Sequence, residues 1–363
     1  MTVEALPRSL ARGWQVYVRR VDAGPDSPYE LILRDRAQIV RHRLDRSLLL
    51  DWGAHQNAVV RARVSALVDR LEISLSPLTA SRHAPRLMGV LNVTPDSFSD
   101  GGDSFSVERA IAHGRRLVDE GADIIDIGGE STRPGASAPP VEVELARVLP
   151  VIEALAPLGV PISIDTRRAA VMRAALGSGA SIINDVSALT HDPESVRLAA
   201  GANVPVVLMH MQGTPETMQR APHYLAAAFE VFDWLEERIA ACEAAGIARM
   251  RLIVDPGIGF GKRLDHNLDI LRNLSLFRAL GCPLLVGASR KGFIGQITGA
   301  RVPKDRLPGS LAIALHAVAQ GADILRVHDV AETRQALSMH FAINDPSSDV
   351  KPVAEVASPA NRR

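Results

Sequence analysis

The chain has 363 residues, 47% of them apolar, and Lys plus Arg equals Asp plus Glu at 41 each. That balance excludes the basic field that holds nucleic acid or an anionic membrane surface, and no stretch reaches the apolar length that spans a bilayer. Cys242 and Cys282 follow no metal or redox spacing, and Glu4, Arg8 and Arg12 precede any apolar run, so reduced thiols, no signal peptide and a cytoplasmic location are expected.

Residues 1–85 are arginine-rich and read as an accessory segment, with a short strand pair at 14–18 and 29–33 and a helix at 56–71. Its expected place is a cap, the barrel bottom or a dimer partner. From residue 86 the texture changes. Short runs rich in Val, Ile and Leu fall at 87–93, 124–127, 161–165, 182–185, 205–209, 252–255, 284–287 and 324–327. Such runs suit parallel strands covered on both faces.

Amphipathic stretches separate them. In 107–120 the stripe Ala110, Ile111, Gly114, Leu117 and Val118 predicts a helix, with Ser106 as N-cap and Gly121 as stop. Residues 264–280 and 309–320 read as further helices. Eight strand–helix repeats predict an α/β fold of the (β/α)8 TIM-barrel type over 86–342. A doubly wound open sheet fits less well, because its glycine-rich first turn is missing. Residues 343–363 are polar and aperiodic and are expected to be disordered.

In a barrel the chemistry sits at the C-terminal strand ends, and polar residues gather there. Asp165, Asn184 and Asp255 suit a flat heterocycle with several N–H donors. Arg133, Lys291 and Arg326, with His328, suit a phosphate-bearing group, and Asn92 could give one oxygen to a Mg2+ ion that also binds phosphate.

Other polar positions have plainer readings. Thr166 and Asp329 read as helix caps, and Glu130 as an anchor for backbone N–H groups of its loop. The spacing in Gly257-Ile-Gly-Phe-Gly-Lys262 is one residue short of a phosphate loop, so Lys262 reads as a solvated loop lysine. His210 reads as a satisfied core histidine, and His113, His191 and His223 as surface residues.

The segments 91–102 (LNVTPDSFSDGG) and 126–135 (DIGGESTRPG) resemble the signature pair of the dihydropteroate synthases. The resemblance continues in order through SIDT (163–166), INDVS (183–187), LMHMQG (208–213), DPGIGFG (255–261), SRKG (289–292) and RVH (326–328). It implies a transferase that joins a dihydropterin pyrophosphate to p-aminobenzoate, with Mg2+ as cofactor and a homodimer as assembly.

The resemblance also implies roles. Asp165, Asn184, Met209, Asp255, Lys291 and Arg326 would hold the pterin. Asn92, Thr132, Arg133, Arg326 and His328 would hold the pyrophosphate, with Asn92 as the metal ligand. Phe98, Thr132, Pro134, Phe260, Ser289 and Lys291 would line the p-aminobenzoate pocket, where sulfonamides compete in this family. Lys291, Asp165, Arg133 and Arg326 would be the catalytic set. Because the pterin ring can delocalise charge at its methylene carbon, an SN1-like displacement is the expected route. A pterin-dependent methyltransferase and an inactive pterin-binding homologue are the alternatives.

Overall fold

The computed structural model describes residues 6–11, 13–21, 27–36, 38–73, 85–94, 103–131 and 138–344, without the side chains of 103–106. It begins with an antiparallel sheet of β1 (Gln15–Arg20), β2 (Tyr29–Arg34) and β3 (Ile39–Leu44). Helices α1 (Arg46–Ala54) and α2 (Ala58–Glu72) follow.

The strand pair and the second helix answer the sequence reading; β3 and α1 go beyond it. In β3 the alternation is masked by Arg41 and Arg43, and Arg41 reaches across to Glu30 at 2.9 Å. Asp45 caps α1 by accepting from Leu48 N at 2.8 Å, and Asn57 caps α2 by accepting from Val59 N and Val60 N. In α2, Val60, Val64, Leu67, Val68 and Leu71 form the buried stripe.

This segment lies on the barrel flank, not over its mouth. The Tyr17 ring packs 4.8 Å from Phe229 and 5.6 Å from Phe232, and its hydroxyl donates to Asp233 Oδ2 at 2.8 Å. Arg63 and Arg70 both pair with Glu236, and Arg41 reaches Asn273 Oδ1 at 3.1 Å. One hydrophobic core runs from Leu31 and Ile32 through Val64 to Phe229 and Phe232.

The barrel follows. Its strands are β4 (Arg86–Asn92), β5 (Ile124–Gly128), β6 (Ile162–Asp165), β7 (Ile182–Asp185), β8 (Val206–Met209), β9 (Leu252–Asp255), β10 (Leu285–Val286) and β11 (Ile324–Val327). Between them run α3 (Asp103–Asp119), α4 (Val141–Leu155), α5 (Ala169–Gly177), α6 (Ser195–Ala202), α7 (Ala227–Ala244), α8 (Leu264–Arg272), α9 (Gly292–Thr298) and α10 (Leu307–Ala319); α11 (Val330–Asn344) ends the described chain. The parallel order is β10-β11-β4-β5-β6-β7-β8-β9, and a bridge from Val254 to Leu284 joins the two ends of the sheet. The eight runs therefore form a barrel and not an open sheet.

Three boundaries differ from the sequence reading. Helix α3 starts at Asp103, so Ser106 is inside it; it ends ahead of Gly121 as expected. The helix expected over 264–280 breaks at Asn273, whose amide folds back onto Asp269 O at 2.8 Å, and a buried 3-10 helix Leu274–Leu280 continues. Helix α11 extends to Asn344, and the remainder of the tail expected to be disordered lies outside the described residues.

The barrel interior explains where the chemistry falls. Met88, Ile124, Ile182, Val207, Ile253, Leu285 and Ile324, from seven of the eight strands, form one apolar layer. Side chains alternate along a strand, so the next inward position is two residues on. Those positions are Val90, Asp126, Asn184, Met209, Asp255, Gly287 and Arg326, and β6 supplies Asp165. An apolar floor thus carries a polar tier.

Candidate active site

The polar tier is knitted together by Arg326. Its Nε donates to Asp126 Oδ2 at 2.6 Å and its Nη2 to Asp165 Oδ2 at 2.8 Å. Asn184 Nδ2 donates to both oxygens of Asp126, at 3.2 and 3.1 Å. Asp255 Oδ1 accepts from Gly257 N at 2.7 Å. This leaves Asp165 Oδ1, Asn184 Oδ1 and Asp255 Oδ2 without a donor among the described residues. All three parent groups are buried.

Burial, with Asp126 adding its charge, raises the Asp165 carboxyl well above the usual range, against the pull of Arg326. Burial also raises Asp255, opposed by the Gly257 N–H and Lys291. Burial works against the Arg326 charge, but Asp126 and Asp165 outweigh it and raise the guanidinium further. The tier therefore offers acceptors around one fixed cation.

The loop after β9 is shaped by a close approach. Gly257 has φ +67°, and a Cβ there would lie 1.9 Å from His210 O, so glycine is required. Lys262 fills the space beside it. Its ammonium donates to the carbonyls of His210 (3.2 Å), Gly257 (3.0 Å) and Phe260 (2.9 Å) and meets His210 Nδ1 at 3.0 Å.

Lys262 is only 3% exposed, so it is a buried knot and not the solvated lysine expected from its loop. Burial pushes it down to about 7, against Asp255. His210 is the core histidine expected, edge-on to Trp234 at 4.9 Å.

The loop after β10 aims its side chains by strain. Arg290 has φ +58°, a left-handed conformation that costs a non-glycine residue about 1 kcal/mol. It is held from three sides. Its guanidinium pairs with Asp329 (Nε to Oδ2 3.0 Å), its N–H donates to Ser310 Oγ at 2.9 Å, and its carbonyl accepts from Arg306 Nη1 at 2.9 Å.

The neighbours of Arg290 are thereby presented to the cavity. The Lys291 ammonium lies 3.8 Å from the Phe260 ring centroid. Burial, opposed by Asp255 and Asp165 and reinforced by Arg326, pushes it down to about 8. Ser289 Oγ accepts from His328 N at 3.2 Å and sits 3.1 Å from His328 Nδ1. Burial, then Arg326 and Arg290, push His328 down to about 3, so it is a neutral hydrogen-bonding group and not a cation.

Asn92, Phe260, Ser289, Lys291, Arg326 and His328 share a cavity of about 1330 Å3. That exceeds the volume of a site for one drug-sized ligand. Gly287 joins it to the tier below, since a Cβ there would lie 3.7 Å from Arg326 Cβ and 3.9 Å from Asp255 Oδ2. The sequence-predicted Asp165, Asn184, Met209 and Asp255 thus meet Lys291 and Arg326 at one strand-end site. Phe98, Thr132, Arg133 and Pro134 lie outside the described residues.

Some plainer readings change. Glu130 accepts from the Arg167 guanidinium at 2.5 Å, and most of the loop it was expected to anchor lies outside the described residues. Thr166 donates to Glu144 at 2.6 Å, and Asp329 uses its carboxylate on Arg290, so neither side chain caps a helix end. His113 is half-buried and lines the cavity, whereas His191 and His223 are exposed. Asp126 was hidden inside an apolar run.

Among the described residues no His, Cys, Asp or Glu cluster could hold a metal ion by itself. Asn92 offers one neutral oxygen to the same cavity as Arg326 and His328. That donor set fits a magnesium ion held mainly by water and substrate phosphate.

The family described as pterin binding enzyme matches residues 88–328, about two thirds of the chain. The dihydropteroate synthase of Escherichia coli (strain K12) is 52% identical over 254 residues, covering 70% of this chain and 89% of that one. This chain belongs to the dihydropteroate synthase family. A solved Xanthomonas albilineans dihydropteroate synthase with 4-aminobenzoic acid is 53% identical, with a TM-score of 0.69 over 72% of this chain and 93% of that one. Another from that organism, in complex with 7,8-dihydropteroate, is 50% identical, with a TM-score of 0.66 over 72% and 94%. Membership decides against the methyltransferase alternative. The family match begins at residue 88, so the β1–β3 sheet, α1 and α2 are additions to it.

Proposed function

We propose that this transferase condenses 6-hydroxymethyl-7,8-dihydropterin pyrophosphate with p-aminobenzoate, giving 7,8-dihydropteroate and pyrophosphate in folate biosynthesis. The observation that carries the reading is the row of unpaired acceptors on Asp165, Asn184 and Asp255, beside Lys291 and Arg326. An aminopyrimidine edge presents the N–H donors that this row lacks.

In this reading Asp165, Asn184, Met209 and Asp255 hold the pterin, and Arg326 packs against its face. Thr132, Arg133, Arg326 and neutral His328 bind the pyrophosphate. Phe98, Thr132, Pro134, Phe260 and Ser289 surround p-aminobenzoate, and Lys291 spans the two substrates. Asn92 would hold Mg2+, which when bound supplies positive charge to the phosphate oxygens.

The C–O bond to pyrophosphate breaks first, and the leaving group takes the electron pair. The methylene cation left behind is delocalised into the pterin ring, and Asp165 and Asp255 offset its charge. The neutral arylamine nitrogen then adds its lone pair to form the C–N bond and releases a proton to solvent. Arg133, Lys291, Arg326 and His328 stabilise charge growing on the leaving group. Water would otherwise trap the cation, so the reaction needs a site from which water is excluded.

Incubating the protein with both substrates and Mg2+ and following 7,8-dihydropteroate by chromatography tests the reading. Formation of product supports it; a pure, folded preparation that makes none sinks it.

The assembly proposed is a homodimer. Helix α10 is apolar on nearly every side (LPGSLAIALHAVA) yet buries only Ser310, Ala314 and Ala317, and exposed Ile297 and Val302 lie in the segments just before it. Such a face suits a second copy. The free, buried Cys242 and Cys282 accord with a cytoplasmic location.

A further inference from the structure

We infer that Asp126 is a positioning residue that decides which end of the Asn184 amide faces the substrate, making position 184 an acceptor; this rests on the pterin reading above. Asp126 is 1% exposed and both its oxygens are engaged. Oδ1 accepts from Asn184 Nδ2 at 3.2 Å, and Oδ2 accepts from Asn184 Nδ2 at 3.1 Å and from Arg326 Nε at 2.6 Å.

The two ends of an asparagine amide have nearly the same shape but opposite hydrogen-bonding character, so the neighbours choose between them. A carboxylate can only accept. The end of Asn184 beside Asp126 is therefore the NH2, and Oδ1 is turned away, with no donor among the described residues. Turning the amide round would bring two acceptors together and leave a buried donor unmatched.

The same carboxylate fixes Arg326, whose Nη2 then reaches Asp165 Oδ2 at 2.8 Å. Asp126 thus orders two of the groups that read the heterocycle, and both of its own oxygens are already taken by Asn184 and Arg326.

The inference makes a swap prediction. In D126N the new amide can offer its NH2 to Asn184, which turns and presents its own NH2 to a pterin edge that also donates. Affinity for 6-hydroxymethyl-7,8-dihydropterin should fall on the order of 100-fold, while the KM for p-aminobenzoate moves less than about 3-fold. N184D alone sets two carboxylates side by side and should bind as poorly as D126N.

In D126N/N184D the acceptor returns to position 184. Residue 126 donates to it and still accepts from Arg326, so affinity should recover to within about 10-fold of wild type. Calorimetry with that pterin on the wild type and three variants, each checked by thermal melting, decides the matter. If D126N fails to fold, N184D against the double variant gives the same comparison.

A double variant that binds no better than either single variant overturns the role of Asp126. So does an equal loss for p-aminobenzoate in D126N. A wild type that binds no pterin sinks the functional reading, and this inference with it.

Discussion

The Lys291 ammonium rests on the face of the Phe260 ring, 3.8 Å from its centroid. This contact joins the loop after β9 to the loop after β10. Phe260→Leu keeps bulk but removes the ring face, and a desolvated cation–π contact is worth about 2 kcal/mol. The KM for p-aminobenzoate should rise roughly 10-fold, and the pterin KM should change less. Equal changes in steady-state kinetics would place Phe260 elsewhere.

Lys291 carries its charge below about pH 8 and loses it above, because the fold depresses its value. The activity it supports should therefore have an alkaline limb near that pH. Lys291→Arg, which stays protonated, should move the limb upward, and Lys291→Ala should lower kcat/KM by roughly 10² to 10⁴. A limb unmoved in the arginine variant belongs to another group.

Asp165 gives a signed prediction for stability. Its folded value is raised above that of an unfolded aspartate, about 3.9. The folded chain therefore binds more protons than the unfolded one, and this residue's contribution is lost as pH rises. Compared with wild type, Asp165→Asn should gain relative stability between about pH 4 and about pH 7 while losing most activity. Urea denaturation at both ends of that window checks the first half; a stability difference independent of pH contradicts it.

Lys262→Met removes a buried ammonium from three carbonyls and an imidazole. Leaving those acceptors unmet should cost about 2–4 kcal/mol of stability. Chemical denaturation would read the loss, and a variant as stable as wild type would mean that water replaces the ammonium.

Tyr17→Ala tests the addition that precedes the barrel. It deletes a ring packed on Phe229 and Phe232 and a hydroxyl bonded to Asp233. A loss of about 3–5 kcal/mol is expected, with kinetic constants of the folded fraction unchanged. A lower turnover in fully folded protein would tie the flank to the chemistry.

The barrel was legible because five of its eight strands repeat one inward apolar residue followed two positions later by a polar residue or glycine, as in Ile182–Asn184 and Ile253–Asp255. Asp126 follows that rule too, but it lies between Ile125 and Ile127 inside the run 124–127, where the sequence alone assigns it no role. Lys262 was illegible for another reason. Its partners are three backbone carbonyls and a histidine 52 positions away, and only the folded chain brings them together. In β3, Arg41 and Arg43 hid the strand, and the partners of Arg41 lie across the sheet at Glu30 and beyond it at Asn273.

Arg290 draws its support from Ser310 in α10, Arg306 just ahead of that helix and Asp329 at the head of α11. The left-handed turn that points Lys291 inward is thus propped entirely by residues that follow it. A nascent chain extended only to Arg301 would already hold Asp126, Asp165, Asn184, Asp255 and the Phe260 ring, yet it would lack all three props of the Arg290 turn. The aim of the lysine is therefore set last in the chain, by the segment from Arg306 to Asp329.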